Sequence, residues 1–314
     1  MMKFLVATDF TDSGRRAVDL AMGLASATGA QLELAHVVAL PPEASRMEHN
    51  SEIEPALEAL RTRLRERVDQ AGAQLEQERA RCAEKGVECQ TRLIEGHPWE
   101  AIIEEAARGQ ADLLILGAHG AGPPRVLSNA IKERLLGTTA DRVVRHAPCP
   151  VMVAAGEQPV AKLQGARWLV GVDFSPASEA AVRLASRLAE ASGGQVTLAH
   201  AATPSGLGEH DEQDANWRQV LREESRKQTE RDLRELAQAE SKGAEIHQGN
   251  RVSRGPAAEE LAQAVKESDA DFLVIGSHGK KGLSRLVLGS TAERSLRLAD
   301  VPVLVVRPAD LGKA

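Results

Sequence analysis

The sequence predicts an α/β protein in which one open parallel-sheet unit occurs twice. Three observations carry this: a length of 314 residues, an internal repeat, and strand-like apolar runs alternating with helical periodicity. Asp9-Phe10, Ala17-Val18, Leu20-Ala21, Leu24-Ala25, Gly29, Gln31 and Leu34-Ala35-His36 recur 164 positions later, as Asp173-Phe174 through Leu198-Ala199-His200. Later matches have smaller offsets: Gly117 with Gly276, His119-Gly120 with His278-Gly279, Gly137-Thr138 with Gly289-Ser290, Pro150-Val151 with Pro302-Val303.

In the first copy, apolar runs predict strands near residues 3–8, 31–38, 87–94, 112–117 and 150–154. The second copy places them near 167–172, 195–201, 244–250, 271–276 and 302–306. After each first strand, apolar residues three and four apart (Ala17, Leu20, Ala21, Leu24; Ala181, Leu184, Ala185, Leu188) define a helix with one face toward a sheet. The charged stretches 54–85 and 212–242, with spaced leucines, read as long amphipathic crossover helices. Periodicity is lost between the copies, giving domains at 1–155 and 166–309 and a linker at 156–165.

Composition narrows the function classes. A net charge of −6 gives no general attraction to nucleic acid, and with aromatics at 2% and no tyrosine there is no base-stacking platform. An adenine would have to rest on aliphatic side chains and backbone. Cys82, Cys89 and Cys149 lack CxxC spacing and are expected to be reduced thiols in a cytoplasmic protein, outside any structural zinc site. The amino-terminal apolar run ends at Thr8-Asp9, too short for a signal peptide or a membrane span.

The chemistry concentrates where Phe272-Leu273-Val274-Ile275 runs into Gly276-Ser277-His278-Gly279, with Gly289-Ser290-Thr291 following. Glycine lets backbone N–H groups approach an anion, and a helix start favours negative charge. A capped strand end and helix start would use the same residues. If strands two and four flank strand one, Asp173, His200 and this loop converge on one crevice at the carboxyl ends of the strands. Asp173 there suits a ribose, a base amine or a cation, although Asp also caps turns; Asp9 is open between those readings. His36 and His200 read as satisfied strand-end residues, and His119 and His278 as loop residues that pack or meet phosphate. A His/His/Asp metal site is compatible with these positions, and spacing does not test it.

Gly276-x2-Gly279-x9-Gly289-Ser290, after Val274-Ile275 and before Val301-Pro302-Val303, resembles the ATP-binding pattern of the universal stress protein family. Val170-Gly171-Val172-Asp173-Phe174-Ser175 is similar to the family's opening segment, and the likeness covers nearly the whole chain twice. The resemblance implies two tandem Rossmann-like domains with sheet order 3-2-1-4-5. It also implies an ATP ligand, with or without magnesium, and a homodimer with unidentified protein clients. By the same analogy Asp173 faces the adenosine end, Gly276 lies near the ribose, and Gly279, Gly289, Ser290 and Thr291 bind phosphates; His278, a loop residue that packs or meets phosphate, joins them as a candidate cofactor-binding residue. Lys280, Lys281 and Arg285 are either added positive charge or a solvated turn.

The first copy departs from the pattern. Sixteen residues, including Pro123 and Pro124, separate Gly120 from Gly137, and the longer loop is expected to move the helix start and divert this copy from ATP. The resulting expectation is a nucleotide-binding regulator of stress responses with its ligand in the second copy. The alternatives are a slow ATPase or phosphotransferase, or a carrier of another ligand in the first copy. Neither a GxxxxGK[ST] loop nor a kinase signature is present, and no catalytic residue is assigned.

Overall fold

The computed structural model describes residues 1–39, 54–120, 136–156, 163–201, 215–240, 245–247, 252–253, 255–279 and 288–308. The predicted linker lies mostly outside these residues, as do Pro123, Pro124, Lys280, Lys281 and Arg285. The chain forms two compact units whose boundary falls between Ala154 and Ala155.

The first unit runs β1 (Lys3–Ala7), α1 (Asp12–Thr28), β2 (Gln31–Ala39), α2 (Glu54–Glu84), β3 (Cys89–Gly96), α3 (Pro98–Arg108), β4 (Leu113–Gly117), α4 (Thr138–His146) and β5 (Val151–Ala154). Its strands are parallel in the order β3-β2-β1-β4-β5, the 3-2-1-4-5 arrangement. The second unit repeats this with β6 (Arg167–Gly171), α5 (Pro176–Ser192), β7 (Gln195–Ala201), α6 (Ala215–Glu240), β8 (Glu245–His247), β9 (Val252–Ser253), α7 (Ala257–Glu267), β10 (Phe272–Gly276), α8 (Ser290–Leu298) and β11 (Val303–Val306). Its order β8-β7-β6-β10-β11 is the same, also parallel. The one difference from the expected strands is that 244–250 is replaced by two short ladders, β8 and β9, each paired with β7.

Burial explains why the central strands form. β1, β4, β6 and β10 are continuous apolar runs buried on both faces, as crossover helices on each side of a parallel sheet require. β3, at an edge, alternates half-buried with exposed residues. In the second core Trp168 stacks on Phe272 with ring centroids 4.1 Å apart.

The first helix of each unit is bounded by its own sequence. Thr11 caps α1 by accepting from the Gly14 N–H, and Ser175 caps α5 in a capping box with Ser178. Both helices end on a glycine with left-handed φ: Gly29 at 66° and Gly193 at 59°. Between first strand and first helix, Phe10 (φ 61°) and Phe174 (φ 59°) also take the left-handed conformation, uncommon for a bulky side chain. Each ring lies against the histidine that ends the neighbouring strand, Phe10 on His36 at 4.5 Å and Phe174 on His200 at 5.1 Å.

Candidate functional site

A cavity of about 560 Å³ opens at the carboxyl ends of β6, β7 and β10 in the second unit. Its volume falls within the range of small-molecule pockets. Asp173, Gly276, His278, Gly279, Gly289, Ser290 and Thr291 all line it. Asp173 and the glycine loop thus meet at one cavity, whereas His200, expected beside them, is not among its lining residues.

The loop is held by backbone. Ser277 donates its N–H to the Val306 carbonyl at 2.7 Å, and its own carbonyl accepts from the Gly289 N–H at 2.8 Å. Strand end and helix start are thereby fixed to each other. Ser175 adds a third tie, its hydroxyl donating to the His278 carbonyl at 3.2 Å. Gly276 is required by close approach: a Cβ there would lie 2.9 Å from the Ala177 and Ser178 backbone.

At the start of α8 the N-cap is Gly289, and no side chain caps the helix. The first amides of a helix have no intrahelical acceptor. Here they belong to Ser290, Thr291 and Ala292, all in the cavity wall. Together with the helix dipole they form a site suited to an anion.

Asp173 closes the turn, as one reading of the sequence had it, and also lines the cavity. Its Oδ1 accepts from the Ser175 N–H at 3.0 Å and so closes the turn into α5. Its Oδ2 is directed at Gly279 on the cavity wall, where a Cβ on the glycine would come within 2.8 Å. In the first unit Asp9 is exposed, and its Oδ1 accepts from both the N–H and the hydroxyl of Thr11.

The strand-end histidines are structural. His200 Nδ1 is 2.7 Å from the Val172 carbonyl, and His36 Nδ1 is 2.8 Å from that of Thr8. Ala199 and Ala201, on either side of His200, line the cavity instead. Burial holds the His36 imidazole below its usual range, against the Thr8 hydrogen bond and the Asp9 charge. His278 Nδ1 meets the Ser277 hydroxyl at 2.7 Å, and its Nε2 is buried without a hydrogen-bond partner among the described residues. No group of three or more acidic, histidine or cysteine side chains suited to a metal is found among the described residues.

Sequence reasoning missed the apolar part of the cavity. Val172, Ala257, Leu261 and Leu288 contribute aliphatic surface, as an adenine would need in a chain so poor in aromatics. Gly171 makes room for Leu261, whose Cδ1 would lie 2.9 Å from a Cβ at that position.

The first unit corrects one expectation. Its longer loop does not displace the helix start: Gly137 donates its N–H to the Ala118 carbonyl at 2.9 Å, the counterpart of the Gly289–Ser277 bond. The caps match as well, with φ, ψ of −62°, 149° at Gly137 and −64°, 148° at Gly289. Loop length fails as a guide because the helix start is tied directly to the strand end, and the extra residues lie between the ties.

The universal stress protein family model matches residues 1–155 and again 166–307. A universal stress protein of Mycolicibacterium smegmatis is 28% identical over 97% of this chain and 96% of its own length. One from Mycobacterium tuberculosis is 30% identical over 72% of this chain and 71% of its own length. Among solved structures, a universal stress protein from Archaeoglobus fulgidus covers 98% of both chains with a TM-score of 0.68 at 20% identity, a likeness of fold. With the family pattern matched once in each half and the same sheet order built in each, this chain belongs to the universal stress protein family and carries its domain in tandem.

Proposed function

We propose that the second domain binds ATP in the cavity between β6, β10 and α8, and that occupancy makes the chain a regulator in stress responses. The observation that carries this is the uncapped first turn of α8 opening on the same cavity as the Asp173 carboxylate, with an aliphatic floor nearby. The amides of Ser290 and Thr291 would take phosphate oxygens, with Gly279 and Gly289 allowing the approach. Asp173 Oδ2 would accept from the ribose or the adenine amine, and Gly276 would lie beside the ribose. His278 lines the cavity and would steady the loop through the Ser277 hydroxyl. Magnesium, where present, would neutralise phosphate charge.

Affinity sets a demand on this arrangement. Micromolar binding needs about −8 kcal/mol, whereas a helix dipole supplies at most about 2. Several amides and the apolar surface must act together, so losing any one contributor should be visible. The family resemblance further supports a cytoplasmic homodimer, and among the described residues no helix is long and apolar enough to cross a membrane.

The test is to dialyse the purified chain against ATP and count bound nucleotide. One ATP per chain, lowered strongly by Gly289→Ala, is expected. Equal binding by that variant and the parent would overturn the assignment, and sustained phosphate release would favour an ATPase instead.

A further inference from the structure

Asp173 is bracketed by two side chains that do not themselves line the cavity, His200 and Phe174. The His200 imidazole, half-buried near the end of β7, lies against both chain neighbours of the aspartate. Its Nδ1 is 2.7 Å from the Val172 carbonyl, and because a carbonyl only accepts, Nδ1 carries the proton and donates. The Phe174 ring packs on the same imidazole, with centroids 5.1 Å apart and the planes tilted by 44°. One histidine thus holds the residue before Asp173 and the residue after it.

The backbone at Phe174 shows why such a contact is needed. At a φ of 59° the Cβ of an L-residue crowds the carbonyl that follows, and glycine would adopt this conformation freely. A strained residue persists where its surroundings enforce it. The sheet and α5 would be served equally by a glycine here, so what the phenylalanine adds is its ring against His200. Phe174 is also the middle residue of the turn that Asp173 Oδ1 closes by accepting from the Ser175 N–H at 3.0 Å. The first domain repeats the arrangement. Phe10 has a φ of 61°, its ring lies 4.5 Å from His36, and His36 Nδ1 is 2.8 Å from the Thr8 carbonyl. Asp9 Oδ1 there accepts from the Thr11 N–H at 3.1 Å. Aspartate, phenylalanine and histidine are one local unit, built twice.

We propose that Phe174 and His200 are positioning residues for the cavity of the second domain, clamped to each other so that the Asp173 carboxylate keeps its direction. Oδ1 is occupied by Ser175, and the clamp holds Oδ2 toward Gly279 on the cavity wall, where a Cβ on the glycine would lie 2.8 Å away. The proposal rests on reading that cavity as an ATP site, and the clamp acts on the ligand only through Asp173. Its strength depends on an aromatic ring at 174 and on the hydrogen bond from His200 to Val172.

The experiment compares the full-length parent with Phe174→Gly, Phe174→Tyr and His200→Leu, by isothermal titration with ATP and by crystal structures without ligand. Phe174→Gly should bind ATP about tenfold more weakly, and Phe174→Tyr, which keeps the ring, should recover most of that loss. His200→Leu removes the hydrogen bond to Val172 and should weaken binding as Phe174→Gly does. In an Asp173→Ala background, Phe174→Gly should cost no more than about twofold, because the group it positions is gone. A general loss of stability would weaken binding alike in both backgrounds, and that result would overturn the proposal. Parental affinity in both Phe174→Gly and His200→Leu would overturn it too. A parent that binds no ATP would overturn the nucleotide reading alone, and the crystal structures then decide the clamp. Loss of the Asp173–Ser175 hydrogen bond in Phe174→Gly would uphold it, and a bond kept at its parental 3.0 Å would end it.

Discussion

Asp173 and Gly279 stand so close that a single added methyl group would join them: a Cβ on the glycine would lie 2.8 Å from Asp173 Oδ2. That oxygen is the carboxylate atom left over once Oδ1 has closed the turn into α5. Gly279→Ala should therefore push the carboxylate out of place and narrow the cavity while leaving the core intact. ATP affinity is expected to fall about tenfold or more, equivalent to about 1.4 kcal/mol, in isothermal titration calorimetry. Unchanged affinity with unchanged circular dichroism would separate Asp173 from the ligand.

Gly276 faces backbone, which cannot turn aside. Its missing Cβ is 2.9 Å from Ala177 and Ser178 at the start of α5, and the equivalent Gly117 is 2.6 Å from the Ser13 hydroxyl and 2.8 Å from its backbone. Alanine at either position should cost about 1–3 kcal/mol of overpacking. Urea unfolding of each variant measures it, and parental midpoints for both would remove the close-approach account.

Ser175 joins the fold to the site. Its hydroxyl accepts from the Ser178 N–H as the N-cap of α5 and donates to the His278 carbonyl. Ser175→Ala should lower stability by about 0.5–2 kcal/mol, the usual loss of an N-cap. Because the loop loses a tie too, nucleotide affinity should fall with stability, whereas Ser192→Ala at the far end of the same helix should leave affinity alone. Equal affinities for both variants would show that the cap acts on folding only.

His36 gives the first domain a pH dependence with a definite sign. Burial holds its folded-state value below that of the unfolded chain, which binds the proton near pH 6.5. The unfolded state therefore takes up more protons as acid is added. The stability present above pH 6.5 is lost as pH falls toward the folded value, at no more than about 1.4 kcal/mol per pH unit. His36→Gln should flatten this part of the stability–pH curve measured by denaturant unfolding between pH 7.5 and 5; a curve parallel to the parent's would count against it.

The strands were legible because apolar runs buried on both faces leave a plain signature, and the repeat doubled it. The third strand of the second domain was less so: Glu245-Ile246-His247 has one aliphatic residue, and only pairing with β7 distinguishes it from a loop. Around the cavity, Asp173 and the glycines stood out because a turn-closing carboxylate and closely approached backbone call for those residue types. Leu261 and Ala257 could not, since an aliphatic residue on an amphipathic helix looks the same whether it meets a strand or lines a cavity. The helix start of the first domain was misjudged for another reason: backbone-to-backbone ties such as Gly137 to Ala118 leave no trace in side-chain identity.

The backbone ties at Gly137 and Gly289 also make the segment between strand end and helix start a replaceable part. Each domain fastens the two ends of that segment to one another, so its length and sequence can vary without transmitting strain to the sheet. One domain carries seven more residues there than the other with the same cap geometry at its far end. The two domains thus hold anchors of common gauge, with the same cap geometry at the helix start although the segments between the anchors differ in length.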